Sequence, residues 1–290
     1  MKILVLGSKG QLGLCLHDQL SKTLHDVTYA SRDEVDIADF VAVQQSMVEN
    51  NPDVIINASA YTAVDNAEED KESANLINHL AVANIADICV TMDCLLVHIS
   101  TDYVFDGKAS KFYSESDTTN PQGVYGSSKL NGELAIQSSG CKHIIVRTAW
   151  VFSEHGDNFM KTMLRIGVTN DKLSIVDDQL GCPTYAQDIA LAIVTIVNKY
   201  DTDITTSDIY HYCGDESCSW FDFAEVIFAE AAKAGCSIPI ELTPITTIDY
   251  PTLAARPANS ALDCSKIFNT FGISPSDWRQ GVKSVLGLCT

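Results

Sequence analysis

The chain has 290 residues, 46% of them hydrophobic and 8% aromatic, enough to bury a large core in one elaborate domain or in a domain with a smaller lobe. Its formal charge of −19 argues against nucleic acid or an anionic membrane as a partner, since neither is attracted to such a surface as a whole. No run of eighteen apolar residues exists and the apolar start MKILVLG is too short for a secretory signal, so a cytoplasmic location is expected.

Taken in order, KILVLG reads as a strand and QLGLCLHDQLSK as a helix. DVTYAS follows as a second strand, IADFVAVQQSMVENN as a helix capped by Asp39, and PDVIINASA as a third strand. SANLINHLAVANIADICVTM predicts one long helix, CLLVHIST a fourth strand, PQGVYGSSKLNGELAIQSS a helix and KHIIVRTAW a fifth strand. Continuous apolar strands alternating with helices imply a doubly wound α/β fold, a parallel sheet covered on both faces. After Trp150 the rhythm loosens. NFMKTMLRIG, AQDIALAIVTIVNKY and SWFDFAEVIFAEAAKAG predict helices, the last with Ser219 as cap; IYHYCG predicts a short strand, and residues 245–266 an ordered loop. We expect residues 1–150 to form a dinucleotide-binding Rossmann domain with a later return over about 180–212. Residues 151–290 would then mainly build a smaller, interwoven C-terminal substrate lobe.

Ten cysteines include no Cys-x-x-Cys pair, and several lie in apolar runs, so they are expected to be mostly small core residues and not zinc ligands.

Directly after the first strand, GSKGQLG places Gly7, Gly10 and Gly13 three residues apart at the start of a helix. Glycines there permit a tight turn, a close backbone approach to a pyrophosphate and close helix packing, and the phosphates sit on the helix N-terminus. The second strand ends in Ser31-Arg32, a pair suited to a 2′-phosphate. NADPH is the expected cofactor, with NADH second, since Asp33 and Glu34 adjoin.

Among ten tyrosines only Tyr125 has a lysine four residues on, Lys129, and the two share a helix face. Such a pair arises by chance about as often as not, so its place decides: it follows a strand ending Ser100-Thr101-Asp102, at the edge where α/β sheets bind ligands. There Tyr125 would give its proton to a carbonyl oxygen as hydride arrives. Lys129 would hold the nicotinamide ribose and lower the phenol pKa, and the Thr101 hydroxyl would bind the same oxygen.

The spaced glycines, the threonine ending strand four and Tyr-x-x-x-Lys resemble the extended short-chain dehydrogenase/reductases. Within them, the ordered series GQLG, PDVIINASAYTAVDNAE, STDYVF, VYGSSKLNGE, RTAWVF, NFMKTML, DDQLGCPT and RPANSALD is similar to the dTDP-4-dehydrorhamnose reductase family over nearly the whole length. The resemblance implies NADPH-dependent reduction of the C4 keto group of dTDP-4-dehydro-L-rhamnose, a step of polysaccharide biosynthesis. It also implies that Gly10, Gln11 and Leu12 contact the cofactor phosphates, Asp36 and Ile37 flank the adenine, and Ala60, Tyr61 and Thr62 line the cofactor. Thr101 and Asp102 would meet the sugar and Trp150 would pack against it. Arg256 would reach the substrate's diphosphate or serve in packing.

Some relatives bind magnesium at a dimer interface through glutamates. Those positions fall at Cys15 and near Gln187 here, so no such metal is expected, and a homodimer stays open. Two other readings compete. One is a nucleotide-sugar epimerase or dehydratase, although dehydratases typically carry an acidic pair where Asp102 is followed by Tyr103. The other is a non-catalytic regulatory subunit of the methionine adenosyltransferase type.

Overall fold

The computed structural model describes residues 1–200 and 207–289. The first half runs β1 (Lys2–Leu6), α1 (Gln11–Leu20), β2 (Asp26–Ala30), α2 (Phe40–Asn50), β3 (Val54–Asn57), α3 (Lys71–Asn75), α4 (Ala81–Met92), β4 (Leu95–Thr101), α5 (Val124–Ser139) and β5 (His143–Thr148). The second runs β6 (Val151–Phe152), α6 (Phe159–Gly167), β7 (Lys172–Val176), β8 (Leu180–Gly181), β9 (Thr184–Tyr185), α7 (Ala186–Tyr200), β10 (Asp208–His211), β11 (Cys218–Ser219), α8 (Trp220–Lys233), β12 (Glu241–Ile245), α9 (Ser265–Phe271) and α10 (Trp278–Cys289).

Six strands form one parallel sheet in the order β10-β5-β4-β3-β1-β2, the expected doubly wound Rossmann arrangement. Every residue of β3 and β5 is buried, as strands covered on both faces require. Connections leave β1 toward β2 on one side and β3 on the other. That reversal opens a crevice at the carboxyl ends of β1 and β3, where such sheets bind ligands. The chain returns to the sheet at β10, and α7 packs against α1. A smaller lobe is built on Phe152, Met160, Phe223, Ile227, Trp278 and Val282, beside a parallel β7–β12 pair that periodicity did not predict.

Local chemistry sets the ends. The Asp39 carboxylate accepts the N–H groups of Val41 and Ala42, and Ser219 and Asp222 form a reciprocal capping box on α8. The long helix expected from Ser73 to Met92 is instead interrupted by a π-helical turn, Leu76–Leu80, between α3 and α4. Periodicity cannot see one extra residue in a turn, and this one swings Asn78 toward the crevice. Among the described residues eight cysteines are buried free thiols, as expected for most of them, and Cys236 is exposed. Among the described residues no helix is long and apolar enough to cross a membrane.

Candidate active site

The glycine turn is shaped by backbone contacts. Gly7 has φ +81°, and a Cβ there would lie 2.8 Å from the Ser59 nitrogen; a Cβ on Gly13 would lie 2.2 Å from the Gly7 carbonyl oxygen. The N-cap Gly10 lends α1 no side-chain cap, so the first N–H groups of the helix, from Gln11 and Leu12 onward, are left for an anion. These residues fit a dinucleotide pyrophosphate. The Gln11 side chain is engaged elsewhere: it donates to the Val151 carbonyl at 3.3 Å and accepts from Asn158 at 2.7 Å, tying the turn to the smaller lobe.

At the end of β2 the buried Ser31 gives both its N–H and its hydroxyl to one oxygen of Glu34, at 2.8 and 2.7 Å. Arg32 pairs with Asp36 at 3.4 Å and Lys9 with Asp33 at 3.1 Å, all largely exposed. Exposed pairs of this kind hold weakly, so both cations are available to a 2′-phosphate. Ile37 lies in the core with Leu6, Ala30 and Val43, so its side chain is spent on packing. The loop with Ala60, Tyr61 and Thr62 is braced by Asn78. That side chain accepts from the Tyr61 N–H at 2.9 Å and donates to the Tyr61 carbonyl and the Ser128 hydroxyl, both at 3.0 Å.

Three residues four apart on α5 face the sheet: Tyr125, Lys129 and Glu133. Glu133 is buried and holds Arg147 of β5 through two nitrogens, at 2.6 and 2.9 Å, while the Ser100 hydroxyl donates to it. This neutral pair anchors the helix against β4 and β5. Lys129 is 1% exposed, and its ammonium nitrogen lies 2.6 Å from the Ile99 carbonyl and 3.2 Å from Nε2 of His98. Burial pulls its pKa down to about 8, with Glu133 acting the other way.

The Tyr125 phenol is pushed upward by burial and lowered by the Thr101 hydroxyl, with Asp102 and Tyr103 adding to the rise. The lowering expected from Lys129 is not among these influences, because its head group is turned to the strand. Thr101 donates to Asp102 Oδ1 at 2.9 Å. Asp102 Oδ2 is buried without a hydrogen-bond partner, and burial raises this carboxyl to about 6 against the pull of Ser260 and Thr101.

Toward the smaller lobe, Trp150 holds φ +45°, a backbone region that bulky residues rarely adopt, and stacks on Trp220 with centroids 3.4 Å apart. A Cβ at Gly181 would strike the Trp150 ring at 2.3 Å. Arg256 is bound to Asp65 at 2.5 Å and to the Tyr103 hydroxyl at 3.3 Å, and Tyr103 meets Tyr125 edge to face. A cavity of about 260 Å³ opens here, lined among others by Tyr103, Phe105, Lys108 and Arg256. A larger one of about 600 Å³, beside His143, Asp208 and Lys266, lies at the amino ends of β5 and β10, the wrong edge of the sheet for this chemistry.

The RmlD substrate binding domain model matches residues 1–289. A dTDP-4-dehydrorhamnose reductase of Aggregatibacter actinomycetemcomitans is 43% identical over 288 residues, covering 98% of each chain. The chain belongs to the dTDP-4-dehydrorhamnose reductase family. A crystal structure of this reductase from Clostridium acetobutylicum superposes with a TM-score of 0.93 at 36% identity, over 100% of this chain and 99% of that one. Another, from Bacillus anthracis in complex with NADP, gives 0.91 at 33% identity over the same shares.

The magnesium positions of some family members show a different donor set here. Cys15, Glu154 and His155 bring ligand-type atoms within 4.8 Å of one another, while one Gln187 amide nitrogen donates to both Asp18 and Glu154, at 2.8 and 3.0 Å. Magnesium takes oxygen ligands. A buried thiol raised to about 12 by burial, Glu154 and Asp18, together with an amide N–H between the carboxylates, does not fit it. Sequence reasoning passed over Asn57, Asn78, His98, Glu133, Arg147 and Trp220. Only the charges of Glu133 and Arg147, in a helix and a strand that the alternating pattern places against each other, offered a signal.

Proposed function

We propose that this chain reduces the C4 keto group of dTDP-4-dehydro-L-rhamnose with NADPH, as a cytoplasmic enzyme for which a homodimer is compatible. The observation that carries the reading is convergence: Thr101 at the carboxyl end of β4 adjoins Tyr125 of α5, with Lys129 buried one turn further along the same helix, in a chain similar along its whole length to reductases of that name. In it, residues 1–150 with the return over about 180–212 bind the dinucleotide, and residues 151–290 mainly the sugar nucleotide.

When bound, NADPH supplies the hydride. The chain's own part is to place and polarise. Thr101 and Tyr125 hold the keto oxygen, and Tyr125 delivers its phenolic proton there as the oxygen gains charge. Lys129, as an ammonium, stabilises the phenolate left behind and holds the ribose. Thr101 has a single hydroxyl proton, so turning it to the keto oxygen releases Asp102 Oδ1, and Asp102 accepts from a sugar hydroxyl through its free Oδ2. The indole pair of Trp150 and Trp220 gives a flat apolar wall to a deoxysugar. Arg32 and Lys9 read the 2′-phosphate, while Ser31, expected to do so, spends its N–H and hydroxyl on Glu34, and Arg256 closes the substrate side with Asp65.

Loss of reduced-nicotinamide absorbance with dTDP-4-dehydro-L-rhamnose tests this directly, NADPH being oxidised faster than NADH. Tyr125→Phe is expected to lower turnover roughly 10²–10⁴-fold while leaving NADPH binding intact. Undiminished turnover in that variant sinks the assignment.

A further inference from the structure

Beneath Lys129 lies an imidazole that the mechanism above leaves without a part. His98, fully buried in β4, places Nδ1 3.2 Å from the Asn57 side-chain nitrogen on β3 and Nε2 3.2 Å from the Lys129 nitrogen. The Asn57 amide is oriented, because its oxygen accepts the Ser59 N–H at 3.0 Å and its NH₂ is therefore what faces the ring. An amide NH₂ only donates, so Nδ1 must accept.

A neutral imidazole that accepts at Nδ1 carries its proton on Nε2. The ring is neutral, since its complete burial drives its pKa well below the ordinary value. The Nε2–H then points at the lysine nitrogen. An ammonium has no lone pair to receive it; a free amine has one, and keeps N–H groups for the Ile99 carbonyl at 2.6 Å.

We propose that the Asn57–His98 pair favours the free amine of Lys129 over the ammonium in the cofactor-free chain, so that above neutral pH Lys129 takes up a proton when the dinucleotide binds. This rests on the reading of Tyr125 and Lys129 as the catalytic pair, and it makes His98 a positioning residue that acts through Lys129. Of the groups packed around the amine, only Glu133 favours the ammonium, and its pull is blunted by its own partners. Glu133, one turn along α5, is neutralised by Arg147 of β5 and bonded to Ser100 of β4. Asp102, beyond the end of β4, is bonded to Thr101 and acts on Tyr125. Bound dinucleotide phosphates bring negative charge into the crevice, which favours the ammonium.

The ring tautomer is read by ¹⁵N NMR on the cofactor-free protein. The Nε2–H form is expected, and the Nδ1–H form overturns the proposal. NADPH binding by calorimetry in two buffers of different ionisation enthalpy counts the protons. Uptake should rise toward one per site as pH passes about 8, and affinity should fall up to roughly tenfold per pH unit above it. Equal enthalpies in both buffers at about pH 9 overturn the proposal.

Asn57→Asp turns the donor facing Nδ1 into an acceptor, moves the ring proton to Nδ1 and leaves Nε2 to accept from a Lys129 ammonium. Uptake should vanish in that variant; undiminished uptake there overturns the proposal, and the wild-type NMR result stands on its own if the variant fails to fold. Absence of turnover with dTDP-4-dehydro-L-rhamnose would sink the reductase reading alone, since tautomer and proton count need only the protein and NADPH.

Discussion

Asp102 shows how one buried atom sets a pH dependence. Its carboxyl titrates at about 6 instead of 3.8 because Oδ2 is buried without a partner. A folded-state pKa above the unfolded one gives stability that is complete below about 3.8 and lost as pH rises through about 6. At neutral pH the folded chain thus carries an unfavourable buried charge. Asp102→Asn, isosteric and uncharged, should raise thermal stability at about pH 7.5, by up to about 3 kcal/mol, with the difference gone near about pH 4. Melting temperatures of both proteins across that range check it. A wild type more stable than the variant at neutral pH would overturn the account. If Oδ2 receives a sugar hydroxyl, the same variant loses turnover while gaining stability.

α5 is the element on which the site turns. Its spacing of four puts Tyr125 at the rim, Lys129 beneath it and Glu133 deepest, so a single rigid helix delivers the phenol, the amine and its own anchor. The charges of Glu133 and Arg147 were legible as letters, but that they pair required the helix to be laid across β5. Asn78 links α5 to the Tyr61 loop, through a π-helical turn that no periodic pattern signals. Asn78→Ala strips the Tyr61 N–H and carbonyl of their partners, at a cost of about 1–3 kcal/mol. NADPH should bind more weakly to that variant, with turnover at saturating cofactor less affected. A fluorescence titration checks this, and unchanged affinity with lowered stability would make Asn78 a purely structural brace.

Across the whole molecule the two lobes meet where the site is. Gln11 reaches from the glycine turn to Asn158 and Val151, and Arg256 reaches from the substrate side to Asp65 beyond β3. These contacts span 140 or more residues of sequence, which is why the interweaving of the lobes could be expected but its stitches could not. The formal charge of −19 acts at this scale as well. Self-repulsion of the folded chain is relieved by screening, whereas the buried Glu133–Arg147 pair is hardly screened at all. Melting temperature should therefore rise between very low salt and roughly 0.15 M sodium chloride. A fall over that interval would mean that surface ion pairs outweigh the net repulsion.

By itself the sequence determined the doubly wound sheet, the glycine turn after β1, the caps at Asp39 and Ser219, and the Tyr125–Lys129 spacing. Each of these follows from local stereochemistry or from a period of two or 3.6, which neighbouring residues encode together. Only the tertiary structure decided where side chains from distant strands end: that Ser31 is already bonded to Glu34, that Trp150 lies on Trp220, and that the Lys129 head group rests on Ile99 and His98 and not on Tyr125. Such outcomes depend on which polar groups are buried together, and burial is a property of the packed chain, not of any stretch of it.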